Sequence, residues 1–128
     1  MARGYTVATV ALALDTPAKW VDNILSHYTI PRVAQSHQGV ARRVSVDGVF
    51  VLSLVAKLAG ALRVPLARAV EGAHFLAEDG RWTFAEGMTL TIDRDAAIAA
   101  LLARLESAVE AAPIPRRGRP PGKAKRGA

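Results

Sequence analysis

The chain has 128 residues, of which 51% are hydrophobic, and it contains no cysteine. This length suits one compact domain with a small appendage, and the lack of cysteine excludes disulfides, thiolate zinc sites and a cysteine nucleophile. The formal net charge of +6 favours a polyanionic partner.

Charge is segregated along the chain. Residues 1–70 hold eight Lys and Arg against three acidic residues, and residues 71–112 hold three against eight. Residues 113–128 hold six basic residues and no acidic one. Basic ends around an acidic centre favour nucleic acid as the partner, because clustered cations release counterions from phosphates.

Two short helices are predicted near the start of the chain. Apolar residues recur at helical spacing over residues 7–14, a stretch far too short to span a bilayer, and Thr6 is placed to cap it. Thr16 and Pro17 are preferred types for the N-cap and first turn of a second helix over residues 18–28. Two helices joined by such a short turn are typical of a helix-turn-helix, whose second helix enters the DNA major groove.

A small hairpin and two further helices should follow. Residues 32–44 have the pattern of two short strands around a polar loop that contains glycine. Ser45 is placed to cap a third helix, which is apolar on nearly all sides and should lie in the middle of a domain. Gly60 and Pro65 end that helix, and a short fourth helix is predicted over residues 66–72.

The acidic part of the chain predicts a second hairpin followed by a helix. Alternation places Trp82 and Phe84 on one face of the first strand, opposite Met88, Leu90 and Ile92 in the second. Asp93 is placed to cap the final helix. These elements indicate a separate module after the first four helices.

The final helix carries an apolar stripe at helical spacing. Its residues are Ile98, Leu101, Leu102, Leu105 and Val109. The stripe either closes the chain's own core or forms the contact between two copies. We favour a homodimer, because a two-fold protein suits two-fold DNA sites.

Four short segments follow one another in the first half of the chain. They are Tyr5-Thr6-Val7, Thr16-Pro17, Gly39-Val40-Ala41-Arg42-Arg43-Val44-Ser45 and Leu62-Arg63-Val64-Pro65-Leu66-Ala67-Arg68-Ala69. Together they resemble the winged helix-turn-helix of MerR-type bacterial regulators. The resemblance implies a mainly α fold with small β-hairpins, a DNA-binding domain over residues 1–73, and a hairpin with a dimerisation helix over residues 74–112.

Several side chains of the first domain are candidates for DNA contact. Lys19 and Asn23 lie one turn apart on the second helix, where lysine can reach a phosphate or guanine and asparagine can pair with adenine; the alternative is an ordinary solvated face. Basic residues in the wing can reach the backbone. The candidates are Thr16, Lys19, Asn23, Arg32, Arg42 and Arg43.

The basic end, residues 113–128, resembles an AT-hook. It contains Arg117-Gly118-Arg119-Pro120 followed by Lys123. Glycine lets the backbone lie on the floor of a narrow minor groove, and the flanking arginines extend along it. The alternative is a generic basic tail, and under both interpretations its composition predicts disorder without a partner.

The sequence lacks the usual signatures of catalysis. Its three histidines form no metal or triad pattern, and no phosphate-binding glycine loop is present, so we expect no enzymatic activity, cofactor, metal or membrane partner. We predict a cytoplasmic, nucleoid-associated homodimer that binds double-stranded DNA as a sequence-specific transcriptional regulator. The alternatives are an architectural or excisionase-like DNA-binding protein and an antitoxin-like protein-interaction module.

Overall fold

The computed structural model describes residues 4–30, 33–34 and 43–111. These ranges contain five α-helices and two small antiparallel sheets of two strands each, so the predicted mainly α fold with small hairpins is confirmed. In chain order the elements are α1 (Val7–Leu14), α2 (Ala18–His27), β1 (Val33–Ala34), β2 (Arg43–Val44), α3 (Val46–Ala56), α4 (Leu66–Asp79), β3 (Arg81–Ala85), β4 (Met88–Thr91) and α5 (Arg94–Ala111). In the described ranges, no helix combines the length and the apolar character needed to cross a membrane.

The turn between α1 and α2 is built differently from the prediction. Thr6 caps α1 as expected, since its Oγ1 accepts a hydrogen bond from the Thr9 N–H at 3.2 Å. Thr16 does not cap α2: the N-cap is Pro17, and it makes no side-chain capping bond. The Thr16 N–H instead donates to the Ala11 carbonyl at 3.0 Å. Thr16 therefore closes the end of α1, and the prediction of Thr16 as the α2 cap is wrong.

The first hairpin makes backbone hydrogen bonds with Tyr5, near the start of the described chain. Val33 pairs with Val44 across β1 and β2. On the other side of β2, the Tyr5 N–H donates to the Val44 carbonyl at 2.8 Å, and the Val44 N–H donates to the Tyr5 carbonyl at 3.0 Å. A Cβ on Gly4 would lie 2.4 Å from the Arg43 Cβ, so only glycine permits this approach. The hairpin is thus held against the residues that enter α1.

Helix α3 lies in the centre of the structure, as its apolar sequence predicted. The Ser45 Oγ caps it by accepting from the Gly48 N–H at 3.4 Å, and eight residues of the helix, Gly48 to Val55, are buried. A π-helical turn, Lys57–Ala61, continues it. Helix α4 then runs twice as far as the predicted short helix and ends at Gly80, whose φ is 76°. The predicted end at residue 72 was wrong because Gly72 lies inside the helix, against Trp82.

The second hairpin and α5 pack on the preceding elements. Trp82 pairs with Leu90 as predicted and lies on Gly72 of α4. The Ala96 N–H donates to Asp93 Oδ1 at 3.1 Å, which confirms the predicted cap of α5. Helix α5 packs on α1, and residues from both sides of the boundary predicted at residue 73 form one hydrophobic core. The expected separate module is therefore part of the same core.

Candidate nucleic-acid interface

Helix α2 has one apolar and one polar side. Val21 and Ile24 are buried, and the flanking Trp20, Leu25 and Tyr28 are half-buried. The residues on the opposite side are exposed and polar. They are Lys19, Asp22, Asn23, Ser26 and His27. The apolar side fixes α2 to the core, so these side chains form an accessible surface that we call the α2 polar face.

The predicted pair Lys19 and Asn23 is exposed on this face, and His27 extends it by one more turn. The His27 Nδ1–H donates to the Asn23 carbonyl at 2.9 Å, because a carbonyl oxygen can only accept. Sequence reasoning missed His27 as a candidate contact, although the repeat at residues 19, 23 and 27 was visible as helical spacing.

Thr16 is poorly placed for DNA contact. Its Oγ1 is buried, and it has no hydrogen-bond partner within the described part of the chain. A hydroxyl in that position cannot reach a phosphate or a base without local rearrangement. The position of this hydroxyl argues against the predicted DNA contact.

Thr16→Val tests that placement. Replacing an unsatisfied hydroxyl by a methyl group should raise the free energy of unfolding by about 1 kcal/mol. DNA affinity should stay unchanged, because the hydroxyl does not face solvent. Urea unfolding and fluorescence anisotropy with a labelled duplex measure the two quantities. A loss of affinity in a stably folded variant would restore Thr16 as a contact.

The predicted cations of the first hairpin are only partly described. Arg43 is exposed on β2, and its Nη1–H donates to the Gly4 carbonyl at 3.5 Å. Several candidates lie outside the described residues. These are Arg32, Arg42, Arg117, Gly118, Arg119, Pro120 and Lys123. Arg43 is therefore the one cation of the first hairpin, among the candidates, whose side chain can be placed.

Two arginines of the acidic part are engaged with helix ends. The Arg104 Nη1–H donates to the Ala13 carbonyl at 3.2 Å, and the Arg94 Nε–H donates to the Ala77 carbonyl at 2.9 Å. Both acceptors lie in the last turn of a helix, where the dipole favours a cation. These arginines hold α5 to the neighbouring helices.

The apolar stripe of α5 divides between two surfaces. Leu101 and Leu105 are buried in the chain's own core, with exposed fractions of 4% and 1%, and Ile98 packs against it. Leu102 and Val109 are 44% and 54% exposed. The alternative that the stripe closes the core thus accounts for its most buried residues, and two apolar side chains remain accessible.

The described residues contain no group of three or more His, Asp or Glu side chains that could hold a metal ion. The chain gives no significant match to a protein-family model, to a curated protein or to a solved structure.

Proposed function

We propose that the chain binds double-stranded DNA through a winged helix-turn-helix and acts as a transcriptional regulator. The observation that carries the proposal is the α2 polar face. It is exposed on a helix whose other side is buried, and that helix follows α1 after three residues, Asp15 to Pro17. A second helix presented in this way suits the major groove.

The first hairpin supports the same proposal. Its strand β2 exposes Arg43, and the backbone pairing with Tyr5 ties the hairpin to the start of α1. In the proposed complex this hairpin is the wing, and Arg43 contacts a phosphate. The resemblance of these segments to MerR-type regulators agrees with this assignment. Residues 113–128 would add contacts in the minor groove.

We further propose that two copies bind together. Leu102 and Val109 lie two turns apart on α5, and both are accessible although they are apolar. Their pairing with a second copy would bury them. A symmetric dimer of this kind places two second helices on the half-sites of a palindromic operator.

Substitutions on α2 test the proposal. Asn23→Ala should weaken binding to a duplex selected from random DNA by about 10- to 100-fold, because a bidentate contact to adenine is lost. Lys19→Ala should weaken binding to selected and random duplexes alike. Fluorescence anisotropy at fixed salt measures both.

Arg81→Ala is the matched control for Lys19→Ala. It also removes one exposed cation, but from β3 in the acidic part, so it should leave affinity nearly unchanged. A regulator should prefer its selected duplex over random DNA by about 1,000-fold or more. Binding without that preference would favour an architectural protein, and no binding by the wild type would refute the proposal.

A further inference from the structure

The end of α5 lies beside the beginning of α2. One surface cleft is lined by Pro17 and Ala18 at the start of α2, by Leu12 of α1, and by Ala111, the last residue of α5. Residues 17 and 111 are far apart in the sequence. Packing of α5 on α1 therefore brings the two helix ends to the same part of the surface.

This position of α5 is fixed by buried contacts. The Arg104 Nη1–H donates to the Ala13 carbonyl near the end of α1 at 3.2 Å. Leu105, the next residue, and Ala108, one turn further along, are buried. A second cleft, lined by Leu12, Arg104 and Ala111, follows the same contact between α1 and α5. The last turn of α5 is thus part of the folded unit that also holds α2.

The basic residues continue from this point. Residues 113–128 hold six Arg or Lys and no acidic residue, and Arg117 follows Ala111 by six positions. An extended chain covers at most about 3.4 Å per residue, so Arg117 can lie up to about 20 Å from the end of α5. Neighbouring major and minor grooves are about 17 Å apart along the DNA axis, half of one turn.

We infer that α5 is an arm that delivers residues 113–128 to the duplex held by α2, at the N-terminal end of α2. The inference rests on the proposed function. The N-terminal residues of a recognition helix are the ones nearest the bases, so in the proposed complex Ala111, after which the basic segment continues, lies close to the DNA. Its high effective concentration there favours the adjacent minor groove of the same duplex over a second duplex.

Spacers inserted after Ala111 test the arm without changing α2 or the basic segment. A helical spacer of about 40 residues, built from EAAAK repeats, would carry the segment about 60 Å away. That is beyond the reach of its last cation, Arg126, which follows Ala111 by 15 positions and can lie at most about 50 Å from it. A Gly/Ser spacer of the same length is flexible and would still let the segment reach the duplex. The affinity for DNA should then fall by less than about tenfold. The reference is a full-length chain with the six basic residues of 113–128 changed to Gln.

Affinities for one 30-base-pair duplex are compared by fluorescence anisotropy at a single salt concentration. The wild type should bind about 100-fold more tightly than the reference, and the helical-spacer chain should bind like the reference. The proposed role of α5 is refuted if the helical-spacer chain binds as tightly as the wild type, or if the reference does. Failure of the wild type to bind any duplex refutes the proposed function instead.

Discussion

Gly72→Ala should lower the free energy of unfolding by about 2 kcal/mol. Alanine normally stabilises a helix interior relative to glycine by about 1 kcal/mol, so the expected sign is opposite to helix propensity. A Cβ at this position would lie 2.4 Å from two atoms of the Trp82 ring, which is 4% exposed. The buried indole has to move, and urea unfolding measures the cost.

The surroundings of Trp82 explain why it cannot move freely. The Arg68 guanidinium lies 5.1 Å from the ring centroid, and the same side chain donates to the Phe84 carbonyl at 2.8 Å and pairs with Glu71 at 3.1 Å. The Phe84 ring lies 5.6 Å from the indole. These contacts join α4 to β3, so displacement of the indole disturbs the whole hairpin.

Gly60→Ala is the matched control. A Cβ on Gly60 meets no atom within 4 Å, and Gly60 lies in the helical turn Lys57–Ala61, so this variant should not lose stability and should gain at most about 1 kcal/mol from helix propensity. Adding Trp82→Leu to Gly72→Ala should cost less than the sum of the two single changes, because the smaller side chain leaves room for the methyl group. Strict additivity would show that the two residues do not contact each other.

Features that depend on neighbouring residues were predicted correctly from the sequence. Thr6, Ser45 and Asp93 accept the capping hydrogen bonds expected of them, and Trp82 faces Leu90 as the alternation predicted. Caps and hairpins are encoded within a few residues, and the choice of side chain there has a direct physical reason. Thr16 is the exception: its backbone N–H donates to the Ala11 carbonyl at the end of α1, and its side chain does not cap α2.

Features that depend on distant contacts were missed. Gly72 suggested a helix end, but its role is to admit Trp82 from the next hairpin. The charge change after residue 70 suggested a module boundary, but α5 returns to pack on α1. The approach of Ala111 to Pro17 also follows from that packing. Local patterns carry no information about which distant helices share a core.

Helix periodicity found the apolar stripe of α5 but could not divide it between core and surface. Successive residues on one broad face differ in depth only once a neighbouring helix is in place. Helix α1 covers the side that carries Leu101 and Leu105 and leaves Leu102 accessible. The proposed self-association would therefore use the accessible side, so that stability and assembly would depend on separate residues.

Leu105→Ala should lower the free energy of unfolding by about 3 kcal/mol, since it removes a side chain that is 1% exposed in the core between α1 and α5. Leu102→Ala makes the same chemical change on the same helix, where the side chain is 44% exposed. It should cost less than about 1 kcal/mol and weaken self-association, as measured by analytical ultracentrifugation.

The concentration dependence of unfolding separates the two roles. The decrease in the free energy of unfolding caused by Leu105→Ala should be the same at low and high protein concentration, because a contact within one chain does not depend on a partner. A loss that grows with protein concentration would place Leu105 between two copies, and the core assignment would be wrong. Unchanged association in Leu102→Ala would instead remove the outer side of α5 from the proposed dimer, and operator binding by two copies would need another surface.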